Sequence, residues 1–425
     1  MRAHIIGGKS PKGIINVSGA KNSATRLIAA ACISDGEVEL KNFPTQLVDA
    51  KHKISFLRSL GAIIEANDEQ DYLKIDTQHL KYQKLNNYNC PIRTTYLLVA
   101  GQIKRSGEAR IPYPGGCKIG SRGHDLHIMV WEALGAKVSE ESTHIKIVAN
   151  MFIGAEIHFP ILTVGGTENA LICGAIAKGN TQIINAYITP EVEDLIKFLR
   201  KMGVSISVSK GTVITIHGSE RKLKGISYEV MYDRVEALTW LVYAVMSKGT
   251  LQINNVPFQA MEEPLRQIRL MGVDFLSDSN SIWYSPKCLI HSHVKSFYLE
   301  TGTHPGVISD MQPFFTLLGI MAHGESHILD KRYPERIAYV YELQKLLNEQ
   351  VIEAELGKVV TRGPATFIAG TVTSTDLRGS MALVLAALCA EGHSDIYDVE
   401  MALRGYNNLQ KKLSTIGISM QVYES

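Results

Sequence analysis

A cysteine set among glycines and followed by cations suits chemistry better than it suits a core. The stretch "YPGGCKIGSRGHD" (113–125) places Cys117 after Gly115 and Gly116, with Lys118 and Arg122 close behind. Nearby cations favour the thiolate, which is the nucleophilic form. Glycines around such a thiol let a loop close over a ligand. On these residues alone, an exposed cysteine beside unrelated cations is the bland alternative. Other polar stretches stand just ahead of apolar helical runs: "SGAKNSA" (18–24), "IRTT" (92–95), "VGGTENA" (164–170), "YDRVEA" (232–237), "GVISDMQ" (306–312) and "TDLRGS" (375–380). A loop-to-helix junction gathers free N–H groups and the positive end of the helix dipole, which suits anions such as phosphate.

Cations at these junctions point the same way. Lys21, Arg93, Arg122, Arg378 and Arg404 fall in loops or first turns rather than on polar helix faces. Each alone reads as a solvated surface charge. Brought together, they would suit a doubly anionic ligand. Asp310, in "HPGVISDMQ", has two readings: an N-cap for the apolar run that follows, or a general base taking a hydroxyl proton. "GGKSPKG" near the start lacks the G-x-x-x-x-G-K-[ST] spacing of a phosphate-binding P-loop.

The elements that must position these residues form a repeat. An apolar helical run, a Gly-containing turn and a short β-branched strand recur roughly every 70 residues, from "ATRLIAAACISDGEVELKNFP" to "GSMALVLAALCAEGHSDIYDVE". Six copies are legible, each followed by a second helix that usually ends in Leu-Gly or Met-Gly, as in "DLIKFLRKMGVSIS". The fifth copy lacks that Gly. Six mixed units divide naturally as three plus three, and a continuous array is the other possibility. The polar segment "HGSERKLKGISYEV" (217–230) is the candidate crossover between the third and fourth copies.

Bulk properties agree with an α/β protein of two domains. The chain has 425 residues, 45% hydrophobic and 20% charged, with a net charge of +2. That balance gives no general footprint for nucleic acid or an acidic membrane, so any anion site is local. No apolar run reaches the roughly 20 residues of a membrane span, and no secretory signal is expected at the start. The six cysteines show no CxxC pair. Cys32, Cys173 and Cys389 lie in apolar helical runs and read as small core hydrophobes. A reducing cytoplasm is the expected location.

Seven segments, "SGAKN", "PGGCKIGSR", "VGGTEN", "DRVEA", "SDMQ", "STDLR" and "RGY", stand in the order and at the separations of a known family. The chain resembles the enolpyruvyl transferases over essentially its whole length. Within them it is similar to the branch whose acceptor is UDP-N-acetylglucosamine, since the shikimate branch shares the fold but lacks the Cys-bearing glycine loop. The resemblance implies a two-domain inside-out α/β barrel of six βαβαββ units, three per domain. It implies one domain at 21–230 carrying the Cys loop, and another built from 1–20 and 231–425, with the active site in the cleft between them. The implied reaction moves the enolpyruvyl group of phosphoenolpyruvate to the sugar 3-hydroxyl by addition and then elimination of phosphate. This serves peptidoglycan precursor synthesis and needs no metal or organic cofactor. The implied partners are the two small-molecule substrates, with no nucleic acid, membrane or obligatory protein partner.

Residue roles follow by likeness. Cys117 resembles the loop cysteine that acts as general acid, adds covalently to phosphoenolpyruvate and reacts with fosfomycin. Lys21, Arg122 and Arg404 correspond to the clamp on the phosphate, with Arg93 nearby, and Arg336 and Arg378 would serve the carboxylate. Asp310 would deprotonate the sugar hydroxyl, and Asp376 is the second cleft acid. Asn22, Arg122, Asp125, Leu126, Thr163, Val164, Gly165 and Asp310 would hold the UDP-sugar.

Departures from the family pattern gather on the acceptor side. Gly123 and His124 replace Pro-Val, Thr189 replaces a Glu, and Val307-Ile308-Ser309 replaces Phe-Pro-Thr. Tyr333-Pro334 replaces Phe-Glu ahead of Glu335, and Leu403 replaces an Asp. They leave open an enolpyruvyl transferase for another UDP-sugar or uridine nucleotide, and a catalytically silent UDP-sugar-binding paralogue. Retention of Lys21, Cys117, Asp310 and Arg404 together argues against silence.

Overall fold

The computed structural model describes residues 1–80, 92–113, 123–218 and 222–424. The chain forms two compact units, and it passes between them at 18–19 and at 231–232. Among the described residues the inserted unit takes those from 19 to 231, and the terminal unit joins 1–18 to 232–424. Each has its own hydrophobic core.

In the inserted unit the helices are α1 (Lys21–Ala31), α2 (Val48–Ser59), α3 (Val99–Ser106), α4 (Asp125–Ala133), α5 (Val164–Ala175) and α6 (Pro190–Met202). The terminal unit carries α7 (Arg234–Met246), α8 (Glu262–Leu270), α9 (Gln312–Met321), α10 (Ala338–Gln344), α11 (Leu377–Cys389), α12 (Glu400–Leu403) and α13 (Leu409–Thr415). The first helix of most copies is apolar on nearly every side, so it can be satisfied only inside a core. All of α7 is buried, as are Gln312–Ile320 of α9 and Leu377–Leu388 of α11.

Sheets complete each unit, three in each among the described residues. The order recurs. In the inserted unit, Asn180–Ile184 pairs antiparallel with Val213–His217, which pairs with Ser205–Ser209, while Glu156–His158 joins in parallel from the preceding copy. Thr250–Asn254 is likewise joined in parallel by Lys12–Asn16. In the last sheet the N-terminal strand Arg2–Gly7 fills the middle place, between Gly392–Tyr397 and Met420–Tyr423. The polar 217–230 stretch is not all linker: Ser227–Glu229 pairs in parallel with Val38–Lys41 inside the inserted unit.

Turn chemistry repeats with the elements. The glycines that close the second helices, Gly61, Gly135, Gly203, Gly272 and Gly417, all have positive φ, from 78° to 106°, the left-handed conformation that glycine adopts without strain. After the first strand of four copies, Asn42, Asn185, Asn255 and Asp398 take the same conformation at φ 52° to 64°, as short polar side chains tolerate.

Candidate functional site

In the inserted unit, three polar helix starts carry the expected ligands. Helix α1 begins after Ala20 with no side-chain cap. Its first residue, Lys21, forms an ion pair with Asp49 of α2, Nζ to Oδ2 3.1 Å, and Asn22 follows in the same turn. Ser23, one residue on, donates to Asp194 of α6. That carboxylate also accepts from the Tyr228 hydroxyl at 2.7 Å and the Met231 N–H at 3.4 Å. Burial raises its pKa against the lowering effect of those bonds.

The start of α5 explains the paired glycines in "VGGTEN". Thr163 is the N-cap and accepts from the Gly166 N–H at 3.2 Å. A Cβ on Gly166 would lie 2.6 Å from the Thr163 methyl and 2.7 Å from the Phe159 ring, and one on Gly165 would lie 3.3 Å from His127. The second glycine is therefore demanded by packing. The first lets an imidazole lie against the opening turn, whose N–H groups point out of the helix.

Helix α4 brings Asp125 and Leu126 into a first turn, Asp125 exposed and Leu126 partly buried. His127 lies beneath them, its ring centroid 4.7 Å from that of Tyr96 and 6.2 Å from that of Trp131. Burial, with lesser help from Arg93 and His124, lowers its pKa to about 3, so the ring is neutral. Among the described residues its Nδ1 has no hydrogen-bond partner. Arg93 opens the 3₁₀ turn Arg93–Leu98, donates to the Gly123 carbonyl and lies over the Tyr96 ring at 5.8 Å. His124 is bonded to Glu140 and lies near Tyr113, with ring centroids 5.7 Å apart. Cys117 and Arg122 lie outside the described residues.

In the terminal unit, Asp310, Arg336, Asp376 and Arg378 come together. Helix α9 starts at Met311 without a side-chain cap, and the Asp310 carboxylate is instead engaged by two guanidiniums. Arg336 donates to Oδ1 from Nη1 and Nη2, both at 3.0 Å, and Arg378 Nε reaches Oδ2 at 3.5 Å. Both arginines are buried, with side chains 3% and 2% exposed, while Asp310 is 27% exposed. The carboxylate is thus the open face of a buried cationic pair. Asp376 caps α11, accepting from the Arg378 and Gly379 N–H groups at 3.2 Å, with Arg336 Nε 3.8 Å away.

Arg378 lies over the Tyr406 ring at 5.4 Å, and among the described residues its Nη1 has no hydrogen-bond partner. The glycine of "RGY" has a packing reason. A Cβ at Gly405 would lie 2.3 Å from Leu377 Cδ2 and 3.3 Å from Arg378 Nη1. Arg404, half-buried, immediately precedes it.

The departures have local roles. Thr189 caps α6 by accepting from the Val192 N–H, and Val307 is core. Ser309 bridges Arg336 and Asp330 through its hydroxyl. Pro334 offers its carbonyl to the Gly357 N–H, while Leu403 packs partly buried on the core. Cys32 and Cys173 are buried, and burial pushes the Cys32 thiol up to about 12.

Several polar residues around these starts escape the motif reading. Arg26 of α1 pairs with the buried Glu168 of α5 at 2.8 Å. Lys53 of α2 is fully buried. The signal was present: Asp49 and Lys53 occupy the stripe of α2 that also buries Ala50, Ile54 and Leu57, and a charge in a core stripe needs a partner.

A family model described as EPSP synthase (3-phosphoshikimate 1-carboxyvinyltransferase) matches residues 5–413. The chain is 34% identical over 432 residues to a UDP-N-acetylglucosamine 1-carboxyvinyltransferase 1 of Streptococcus agalactiae serotype Ia, covering 100% of both. It is also 34% identical over 421 residues to the UDP-N-acetylglucosamine 1-carboxyvinyltransferase of Ruthia magnifica, covering 98% of both. Among solved structures it is similar to the enolpyruvyl transferase NikO from Streptomyces tendae, with TM-score 0.86, 21% identity, and coverage of 99% of this chain and 98% of that one. EPSP synthase from Acinetobacter baumannii matches with TM-score 0.75 and 17% identity over 100% of both.

Proposed function

Since the chain belongs to the enolpyruvyl transferase family of EPSP synthase, we propose that it transfers the enolpyruvyl group of phosphoenolpyruvate to the 3-hydroxyl of UDP-N-acetylglucosamine. The observation that carries this reading is the end-to-end match to relatives named for that reaction. The product is a peptidoglycan precursor, the reaction belongs to the cytoplasm, and the partners are the two small-molecule substrates. Among the described residues no helix is long and apolar enough to cross a membrane.

The chemistry is an addition followed by an elimination. Asp310 takes the proton of the sugar hydroxyl as that oxygen bonds to C2 of phosphoenolpyruvate, while Cys117 supplies a proton to C3. Loss of a C3 proton then restores the double bond as the C2–O bond to phosphate breaks. On this reading the inserted unit supplies Lys21, Arg93 and Arg122 toward phosphoenolpyruvate. It also supplies Asn22, Arg122, Asp125, Leu126, Thr163, Val164 and Gly165 toward the nucleotide. The terminal unit supplies Arg336, Arg378 and Arg404 for phosphoenolpyruvate, Asp310 as the base beside the acceptor, and Asp376 as a second acid. Two buried guanidiniums fixed behind one partly exposed carboxylate support this assignment, because preorganised cations favour developing negative charge by several kcal/mol.

A second reading keeps the transfer and changes the acceptor. What favours it is the bonded His124–Glu140 pair, beside Asp125, where the family carries an apolar residue. Phosphate release, measured with phosphoenolpyruvate and a panel of uridine nucleotides, decides. Turnover with UDP-N-acetylglucosamine, abolished by fosfomycin in the native protein but not in Cys117→Asp, is the expected result. Turnover only with another nucleotide replaces the acceptor, and binding without turnover rejects the enzyme.

A further inference from the structure

Helix α2 carries two charges in its buried stripe, Asp49 and Lys53, one helical turn apart on the same face. Asp49 meets Lys21 at the first turn of α1. One turn further along both helices, the Lys53 ammonium donates to the main-chain oxygen of Thr25. The same ammonium donates at 3.1 Å to the main-chain oxygen of Thr94, the residue after Arg93. Lys53 is 0% exposed. An ammonium taken out of water is tolerated only where its protons are bonded, so its two carbonyl partners are held to it as firmly as it is held to them.

This bond pattern ties together the main chains that carry two cations. Lys21 and Arg93 repel one another, so their own charges do not bring them to one anion. A rigid link between α1 and the 3₁₀ turn does. We propose that Lys53 is a positioning residue that fixes the Arg93 turn relative to the Lys21 turn, and so sets the phosphoenolpyruvate subsite. This rests on reading Lys21 and Arg93 as phosphoenolpyruvate ligands. Lys53 itself touches no substrate, and the two carbonyls it holds belong to the main chains that carry Lys21 and Arg93. Its removal therefore acts on one substrate more than on the other.

The test uses the full chain with Lys53→Met, which keeps length and loses the donors, and Lys53→Gln, which keeps a donor on a shorter arm. Phosphate release gives KM for each substrate, titration calorimetry gives phosphoenolpyruvate binding, and thermal unfolding reports folding. The expected result is a KM for phosphoenolpyruvate raised about tenfold or more in Lys53→Met. Lys53→Gln should show a smaller rise, and KM for UDP-N-acetylglucosamine should stay within about twofold in both. Three outcomes overturn the proposal while leaving the function intact: an unchanged KM for phosphoenolpyruvate, equal rises for both substrates, or failure of both variants to fold. A native protein that neither binds nor turns over phosphoenolpyruvate overturns the functional reading, and the subsite role falls with it.

Discussion

His127 shows how surroundings alone change what a side chain can do. Packed between Tyr96 and Trp131 and against the first turn of α5, it is only 6% exposed, and its pKa falls from 6.5 to about 3. In the unfolded chain the same ring protonates near its ordinary value, so below pH 6.5 the unfolded state binds the extra proton. Stability is therefore full above that pH and is lost as pH falls toward 3, by about 2 kcal/mol between pH 7.5 and 5 from this group. Urea unfolding at the two pH values should show His127→Phe losing less stability than the native protein by that amount. Equal losses would remove the buried neutral ring from the account. His127 stands two residues beyond the Cys-bearing stretch, and the sequence could not tell its burial from the exposure of Asp125 two residues earlier. Lys53, Glu168 and Asp194 were harder still. Their partners Thr94, Arg26 and Ser23 lie 41, 142 and 171 residues away, and no local pattern encodes such pairs. Lys21, Arg93 and Arg378 were legible because each is local to a helix start, whereas Arg404 closes the end of α12. What the motif missed at Asp310 was its pair of guanidiniums, drawn from segments 26 and 68 residues further on.

At the scale of elements the repeat was legible because two constraints recur together. Helices that enter a core must be apolar on most sides, and the turns that leave the second helices need a left-handed residue. The spacing predicts Gly at those turns, and all five glycines adopt positive φ. The third strand of each copy was not legible, since strands such as Tyr72–Asp76 are short and their register is set by cross-strand pairing, here with Val38–Lys41 and Ile63–Asn67, rather than by a local pattern. Gly203 isolates the backbone term, because φ is 106° and a Cβ there would meet nothing within 4 Å. Gly203→Ala should cost about 1 kcal/mol, the strain of an L-residue in the left-handed region, and Gly203→Asn should cost less. Chemical denaturation of both variants checks this. A costless alanine would mean that the turn relaxes to another conformation.

The whole molecule is one unit inserted into another, and its first strand completes its last sheet. Arg2–Gly7 lies between Gly392–Tyr397 and Met420–Tyr423, almost 400 residues along the chain, with Ala3 and Ile5 both 0% exposed. Separate cores mean that damage to one need not be felt by the other. Ile5→Ala removes three buried carbons from the terminal unit's core and should cost about 3 kcal/mol there. The loss should be local in amide exchange, because subglobal opening follows the contacts of each cooperative unit. Amides of 392–397 and 420–423 should exchange faster in the variant, since their strand partner is loosened. Amides of 180–184 and 213–217, paired within the inserted unit, should keep their native rates. Equal acceleration in both sets would show that the two units open as a single block and that the division into separate cores carries no energetic meaning.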